Sequence, residues 1–258
     1  MEAIDVLYTP LDVPEQPEYD VAELRKWISD NYEPLSKYRE FIGQQSGSAE
    51  PVFEEGDYPW DIIVPYFNLL GNGPGWLGGF DEKFPELSKY VFDAFGLDSE
   101  EVGAFVLLPI RQEYEGYGFW HRDVDTVGFR MYLDFEGMDD DKLLMKRTKV
   151  PYNKTDFIPF NVPITDEQHE TFMQKEIIEC KIKSRNQCFF LNNQRSIHVT
   201  YTAKESVGKA RIASFVVGKF ENNLEFKRSY DDLIVRSAEK FKDYAILWKK
   251  EGETNGTK

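Results

Sequence analysis

At Val102 the spacing of apolar residues along this chain changes from a helical repeat to a period of two, which recurs in short runs as far as residue 220. The stretches 104–114 (AFVLLPIRQEY), 127–135 (VGFRMYLDF), 176–183 (EIIECKIK), 186–193 (NQCFFLNN), 198–202 (HVTYT) and 210–220 (ARIASFVVGKF) each read as a short strand bounded by turn residues. Side chains in a strand alternate between faces. In 127–135 that puts Phe129, Met131 and Leu133 on one face and Arg130, Tyr132 and Asp134 on the other. One face would pack on helices and the other would look into a polar cavity. In 210–218 both faces are largely apolar, so that strand is expected to be covered on both sides, with Arg211 near the mouth of the channel.

Helical spacing frames this run. Val21, Leu24, Trp27 and Ile28 form an early stripe with Asp20 as N-cap. Residues 81–95 carry a second stripe, Phe84, Leu87, Val91 and Phe95, with Gly96 as its stop, and 166–175 reads as a short helix. A last helix starts near Tyr230, with Leu233, Ala238, Phe241, Ala245 and Trp248 packing back on the strands. Residues 1–19 are Pro-rich and read as an extended arm, and 46–80 as an irregular Gly- and aromatic-rich segment with one strand near 62–67. The expected fold is mainly β with flanking helices (α+β), a sandwich or small barrel braced by helices, in a single domain of 258 residues.

Composition narrows the function. A net charge of −15 repels a phosphate backbone, so nucleic acid is not an expected partner. The basic run 142–149 (KLLMKRTK) is expected to be a solvated face or loop. Two cysteines, Cys180 and Cys188, eight apart (188 − 180), make no disulfide framework and read as core fillers in a reducing compartment. No apolar run approaches a membrane span, and the first twenty residues lack the basic and apolar regions of a secretory leader. A cytoplasmic chain with no membrane partner is expected.

Chemistry concentrates in few residues. Of three histidines, His121 opens a His-Arg-Asp sequence, and His198 follows 77 positions later (198 − 121). Residues i and i+2 of an extended segment point alike, so His121 and Asp123 share a side. Two imidazoles and one carboxylate leave coordination positions open on a metal, the donor set of non-haem Fe(II) oxygenases. Arg211, 13 residues after His198 (211 − 198), and Arg130 are planar cations suited to a carboxylate. An arginine inside a strand needs such a partner, because an unpaired buried guanidinium is very costly. His169, in a polar run, is expected to be a solvated helix residue. Trp120 and Arg122, which flank His121, are the candidates for substrate contact, set against a core position for Trp120 and a surface or lid position for Arg122.

The order HRD (121–123), FRMYLDF (129–135), SIHVTY (196–201) and KARIASFVVGKF (209–220) resembles the Fe(II)/2-oxoglutarate-dependent dioxygenases, in particular the branch of aspartyl/asparaginyl β-hydroxylases and cis-proline hydroxylases. The resemblance covers roughly residues 103 to 220. It implies a double-stranded β-helix (jelly-roll, cupin-like) core over 102–221, with a 137–175 insertion acting as a lid or substrate loop. Residues 1–101 would form a helical and irregular N-terminal segment, and 222–258 a C-terminal helix. It implies Fe(II) on His121, Asp123 and His198, and the 2-oxoglutarate C5 carboxylate on Arg211. Arg130, in its Arg-Met-Tyr-Leu strand with Tyr132, would help hold the co-substrate. O₂ would be the oxidant, and Asp123 argues for hydroxylation over halogenation. The substrate class implied is a small polar molecule or peptide, an amino acid or peptidyl amino acid. The rival readings are desaturation or cyclisation with the same cofactors, and a cupin-like binding module without turnover. Asn192 and Gln187 are candidates to orient the imidazoles. Substrate identity and oligomeric state are not encoded in any motif.

Overall fold

The structure is a computed structural model describing residues 1–30, 67–68, 79–95, 102–111, 114–118, 120–121, 129–134, 139–149, 166–184, 187–192, 195–218 and 228–249, with the backbone alone for 28–29, 67–68, 91–92, 95, 102–111, 134, 168, 210–218 and 228–229. After a 3-10 turn at Ala3–Asp5, strand β1 (Val6–Pro10) is buried along its whole length. The Pro-rich start is therefore not an arm. VLYTP is apolar enough to pair on both sides, and the Asn192 amide donates to the carbonyls of Ile4 (3.1 Å) and Val6 (3.2 Å).

Helix α1 (Val21–Asp30) begins where expected: Asp20 Oδ1 accepts from the backbone N–H of Ala22 (2.8 Å) and Glu23 (3.1 Å). Leu24 turns inward. A short strand β2 (Phe67–Asn68) follows. The helix expected over 81–95 is two helices, α2 (Phe80–Lys83) and α3 (Pro85–Phe95). Pro85 is the reason: its ring pushes the preceding residue out of the helical region, and Phe84 sits at φ −128°, ψ 61°. Proline then serves as the first residue of α3, where its missing N–H costs nothing.

Eight strands follow: β3 (Val102–Arg111), β4 (Gly116–Tyr117), β5 (Phe129–Asp134), β6 (Lys142–Arg147), then, after helix α4 (Asp166–Phe172), β7 (Ile178–Cys180), β8 (Phe189–Leu191), β9 (Ser196–Thr202) and β10 (Ala210–Gly218). Helix α5 (Arg228–Lys240) stops short of the expected length, and the chain turns into β11 (Ile246–Leu247) beside β1. The strands form two antiparallel sheets. One has seven strands in the order β11-β1-β8-β5-β10-β3-β2, and the other four in the order β4-β9-β6-β7.

Three layers result, and the alternation read from β5 explains them. Phe129, Met131 and Leu133 pack with Phe190 against Leu24, Phe80, Phe84 and Leu87 of the early helices and Tyr230, Leu233, Ile234 and Ala238 of α5. Tyr132 faces the other way, joining Leu7, Tyr8, Phe189 and Leu191 against Leu143, Met145 and Cys180 of the smaller sheet. The chain is thus a mixed α/β fold: helices, a seven-stranded sheet, then a four-stranded sheet. The basic run 142–149 is not a solvated loop. Its residues 142–147 are β6, an inner strand of the smaller sheet, so this part of the expected lid is sheet instead. Leu143 and Met145 point between the sheets while Lys146 points outward. Among the described residues no helix is long and apolar enough to cross a membrane.

Candidate metal centre

Strand β9 and an isolated bridge from the segment after β4 bring the histidines together. His121 N donates to His198 O (3.0 Å) and His198 N donates to His121 O (2.9 Å), a closed antiparallel pair. Residues paired this way have Cα atoms about 5.5 Å apart and side chains on one face. The imidazole centroids are 4.2 Å apart with ring planes at 53°. On the other side of His198, β6 places Met145 directly opposite. Alternation along SIHVTYT aims His198 between the sheets and Ile197 outward, against Met173 and Trp120.

The larger sheet supplies the third group. Arg130, 7% exposed, reaches across from β5, and its guanidinium nitrogen lies 3.0 Å from His198 Nε2. Arginine has donors only, so Nε2 must be the accepting, unprotonated nitrogen and the ring must be neutral with its proton on Nδ1. The surroundings agree. His198 is 2% exposed. Burial first, then the charge of Arg130, then His121 hold its pKa well below the ordinary histidine value.

A neutral imidazole with an available lone pair is the form that binds a metal. Nε2 of His198 is engaged by Arg130, so the facing rings of His121 and His198, 4.2 Å apart, could share a divalent ion only once that contact is released. The guanidinium does not fit a bare dication: two unit charges about 4 Å apart cost about 4 kcal/mol at an effective dielectric near 20, and a double charge doubles that. The donor set therefore suits a metal that arrives with an anion between it and Arg130.

The remaining sequence candidates fall into three groups. Tyr132 lies two residues along β5 on the same face as Arg130, with its ring 5.7 Å from that of Phe189. Position 211 is placed by register on that face too, since β10 pairs Ala213 with Tyr132 and Phe215 with Arg130; the side chain of Arg211 lies outside the described residues. Asp123 and Arg122 also lie outside them. Among the described residues no group of three or more His, Cys, Asp or Glu side chains could hold a metal. Trp120 is on the opposite face of the sheet from His121, its ring 5.9 Å from that of His169 with Lys146 Nζ 4.9 Å from its centroid.

Several expectations need correction. His169 is half-buried, not solvated. Its Nδ1 is 3.5 Å from Lys146 Nζ, and burial, then Lys146, lower its pKa while Asp166 opposes them. Asn192 spends both amide hydrogens on the N-terminal strand, and Gln187 Oε1 accepts from Lys183 N (3.1 Å). Met145, beside His198, went unseen because the lysines around it drew attention to charge; the alternation Leu143, Met145, Arg147 carried the signal. Cys180 lies inside the same layer, where burial raises its pKa although Arg130 pulls it down. It also lines a cavity of about 560 Å³ at the ends of β6 and β7, bordered by Asp139, Lys142, Glu179, Lys181 and Tyr244.

No protein-family model matches the chain, and no curated protein matches it either.

Proposed function

We propose that this chain is a non-haem Fe(II)- and 2-oxoglutarate-dependent dioxygenase, built on a double-stranded β-helix, that hydroxylates a C–H bond of a small polar substrate such as an amino acid or peptidyl amino acid. The observation that carries it is the pair of facing imidazoles, His121 and His198, with a buried guanidinium on one of them. The strand order supports the fold. Counting β3 to β10 as first to eighth, the larger sheet contains the order 6-3-8-1 and the smaller 2-7-4-5. Such interleaving of eight strands between two sheets is what a jelly roll requires.

In this reading His121, His198 and Asp123 hold the iron, and Arg211 and Arg130 receive carboxylates of the co-substrate. Bound iron, 2-oxoglutarate and O₂ would together supply the oxidising power that converts C–H to C–OH, with 2-oxoglutarate ending as succinate and CO₂. The chain's own residues hold an unprotonated Nε2, keep a buried cation beside it and exclude water between two apolar sheet faces.

Anaerobic addition of Fe(II) and 2-oxoglutarate is expected to give the weak visible charge-transfer band of the chelate, and His198→Ala is expected to abolish it. Succinate release screened over free amino acids and short peptides would then name the substrate class. Absence of the band from wild type, or its persistence in His198→Ala, would overturn the proposal.

A further inference from the structure

We infer that Arg130 gates His198: with no carboxylate bound beside it, its guanidinium occupies the Nε2 lone pair through which His198 would bind a metal, and a dicarboxylate draws it away. The inference rests on the proposed function and adds to it a coupling between co-substrate and metal. Three observations carry it. The Arg130–Nε2 contact is 3.0 Å, within ordinary hydrogen-bond length. Both residues are buried and sit on different sheets, so the contact bridges the two sheets instead of lying along one strand. A guanidinium remains charged, so the contact can be given up only by rotating the side chain, never by losing a proton.

A carboxylate competes well for that guanidinium. A two-pronged bond from arginine to a carboxylate is charge-assisted and roughly twice as strong as a bond to a neutral acceptor. Once the guanidinium turns to the anion, Nε2 is released and the positive charge beside it is neutralised. Both changes favour a divalent ion. By linkage, metal and dicarboxylate each tighten the other's binding by the same factor. The imidazole pair should then hold a metal poorly until the co-substrate is present.

The test uses the full chain labelled with ¹⁵N-histidine. Only three histidines must be assigned, and His169→Gln and His121→Gln identify two of them. With no metal present, glutarate (a dicarboxylate lacking the 2-oxo group) is expected to move the His198 Nε2 resonance toward that of a free lone pair. Arg130→Met should show the moved position from the outset. In calorimetry with Zn(II) alone, Arg130→Met is expected to bind about 10-fold tighter than wild type, and wild type with glutarate should recover a gain of that order. The gate is refuted by a His198 signal that saturating glutarate leaves in place, or by equal Zn(II) affinity in wild type and Arg130→Met. Should the variant fail to fold, the wild-type resonance decides alone. Failure of the parent reading looks different: no form binds Zn(II) with or without glutarate.

Discussion

Phe129→Ala tests whether the helical layer and the site are mechanically one unit. Phe129 is fully buried on β5, its ring 5.9 Å from Phe190 and 5.4 Å from Tyr230, the latter edge-on. Truncating a phenylalanine in such a position costs about 3–5 kcal/mol, from lost transfer energy plus the cavity left behind. The two aromatic contacts account for about 0.5–1.5 kcal/mol each within that total. Taking about 4 kcal/mol, and roughly 2 °C per kcal/mol for a chain of this size, the melting temperature should fall by about 8 °C. Phe129→Leu keeps most of the volume and should cost less than half as much. The residue is adjacent to Arg130, so a cavity beneath β5 loosens the strand that sets the guanidinium. Misplacing a positioning group by about 1 Å can cost as much as 100-fold. Binding of 2-oxoglutarate with Fe(II), followed by the chelate band, should weaken in Phe129→Ala although that side chain faces away from the cavity. Thermal melts and anaerobic titration of both variants check this. A melting temperature within 2 °C of wild type in the alanine variant, at roughly 1 kcal/mol, would refute the packed helical face.

Two further outcomes follow from buried titratable groups. Docking of α4 onto Trp120 and Lys146 should weaken on acidification. The depressed pKa of His169 means the docked arrangement favours the neutral ring, so its contribution is full above the ordinary value of about 6.5 and is lost as pH falls through and below it. Amide exchange over 166–173 should accelerate across that window, and His169→Gln should flatten the response; an identical profile in the variant would sink the argument. Cys180 and Cys188 should ignore a thiol reagent in the native protein and react only on unfolding, since burial raises both thiols, that of Cys188 to about 12. Rapid native labelling of either would contradict the placement of these side chains in the core.

Period and punctuation carried much of the fold, and they failed where one signal masked another. β5, β8 and β9 fall inside alternating runs because each buries at least one face, β10 falls inside one as well, and Asp20 caps α1 as its residue type requires. β1 was hidden by the prolines at 10, 14 and 17, which read as an arm although five apolar-leaning residues precede or include the first of them. β6 was hidden by lysine: its alkyl stems suit the outward face of an inner strand, but charge masked the alternation. β11 was hidden by helical spacing that runs on through Ala245 and Trp248. The chain leaves the helix because Trp248 has better partners elsewhere, its N–H donating to Asp5 O (2.8 Å) and its indole to Thr148 O (3.2 Å). Such long-range partners leave no local trace.

At the site the same limit applies at finer scale. That His121 and His198 meet was readable, because a metal reading of two rare residues demands it and the bridge between their strands supplies it. Arg130 was readable as an inward cation in need of a partner. Its actual partner was not readable, because alternation fixes which face a side chain leaves from and says nothing of what the facing sheet offers 3.0 Å away. That partner changes the chemistry of the cavity. An arginine on a carboxylate alone would make the anion site and the metal site independent. Under the proposed function, an arginine on the nitrogen that would bind the metal makes each site conditional on the other, and the Arg130–His198 contact is where the two would be coupled.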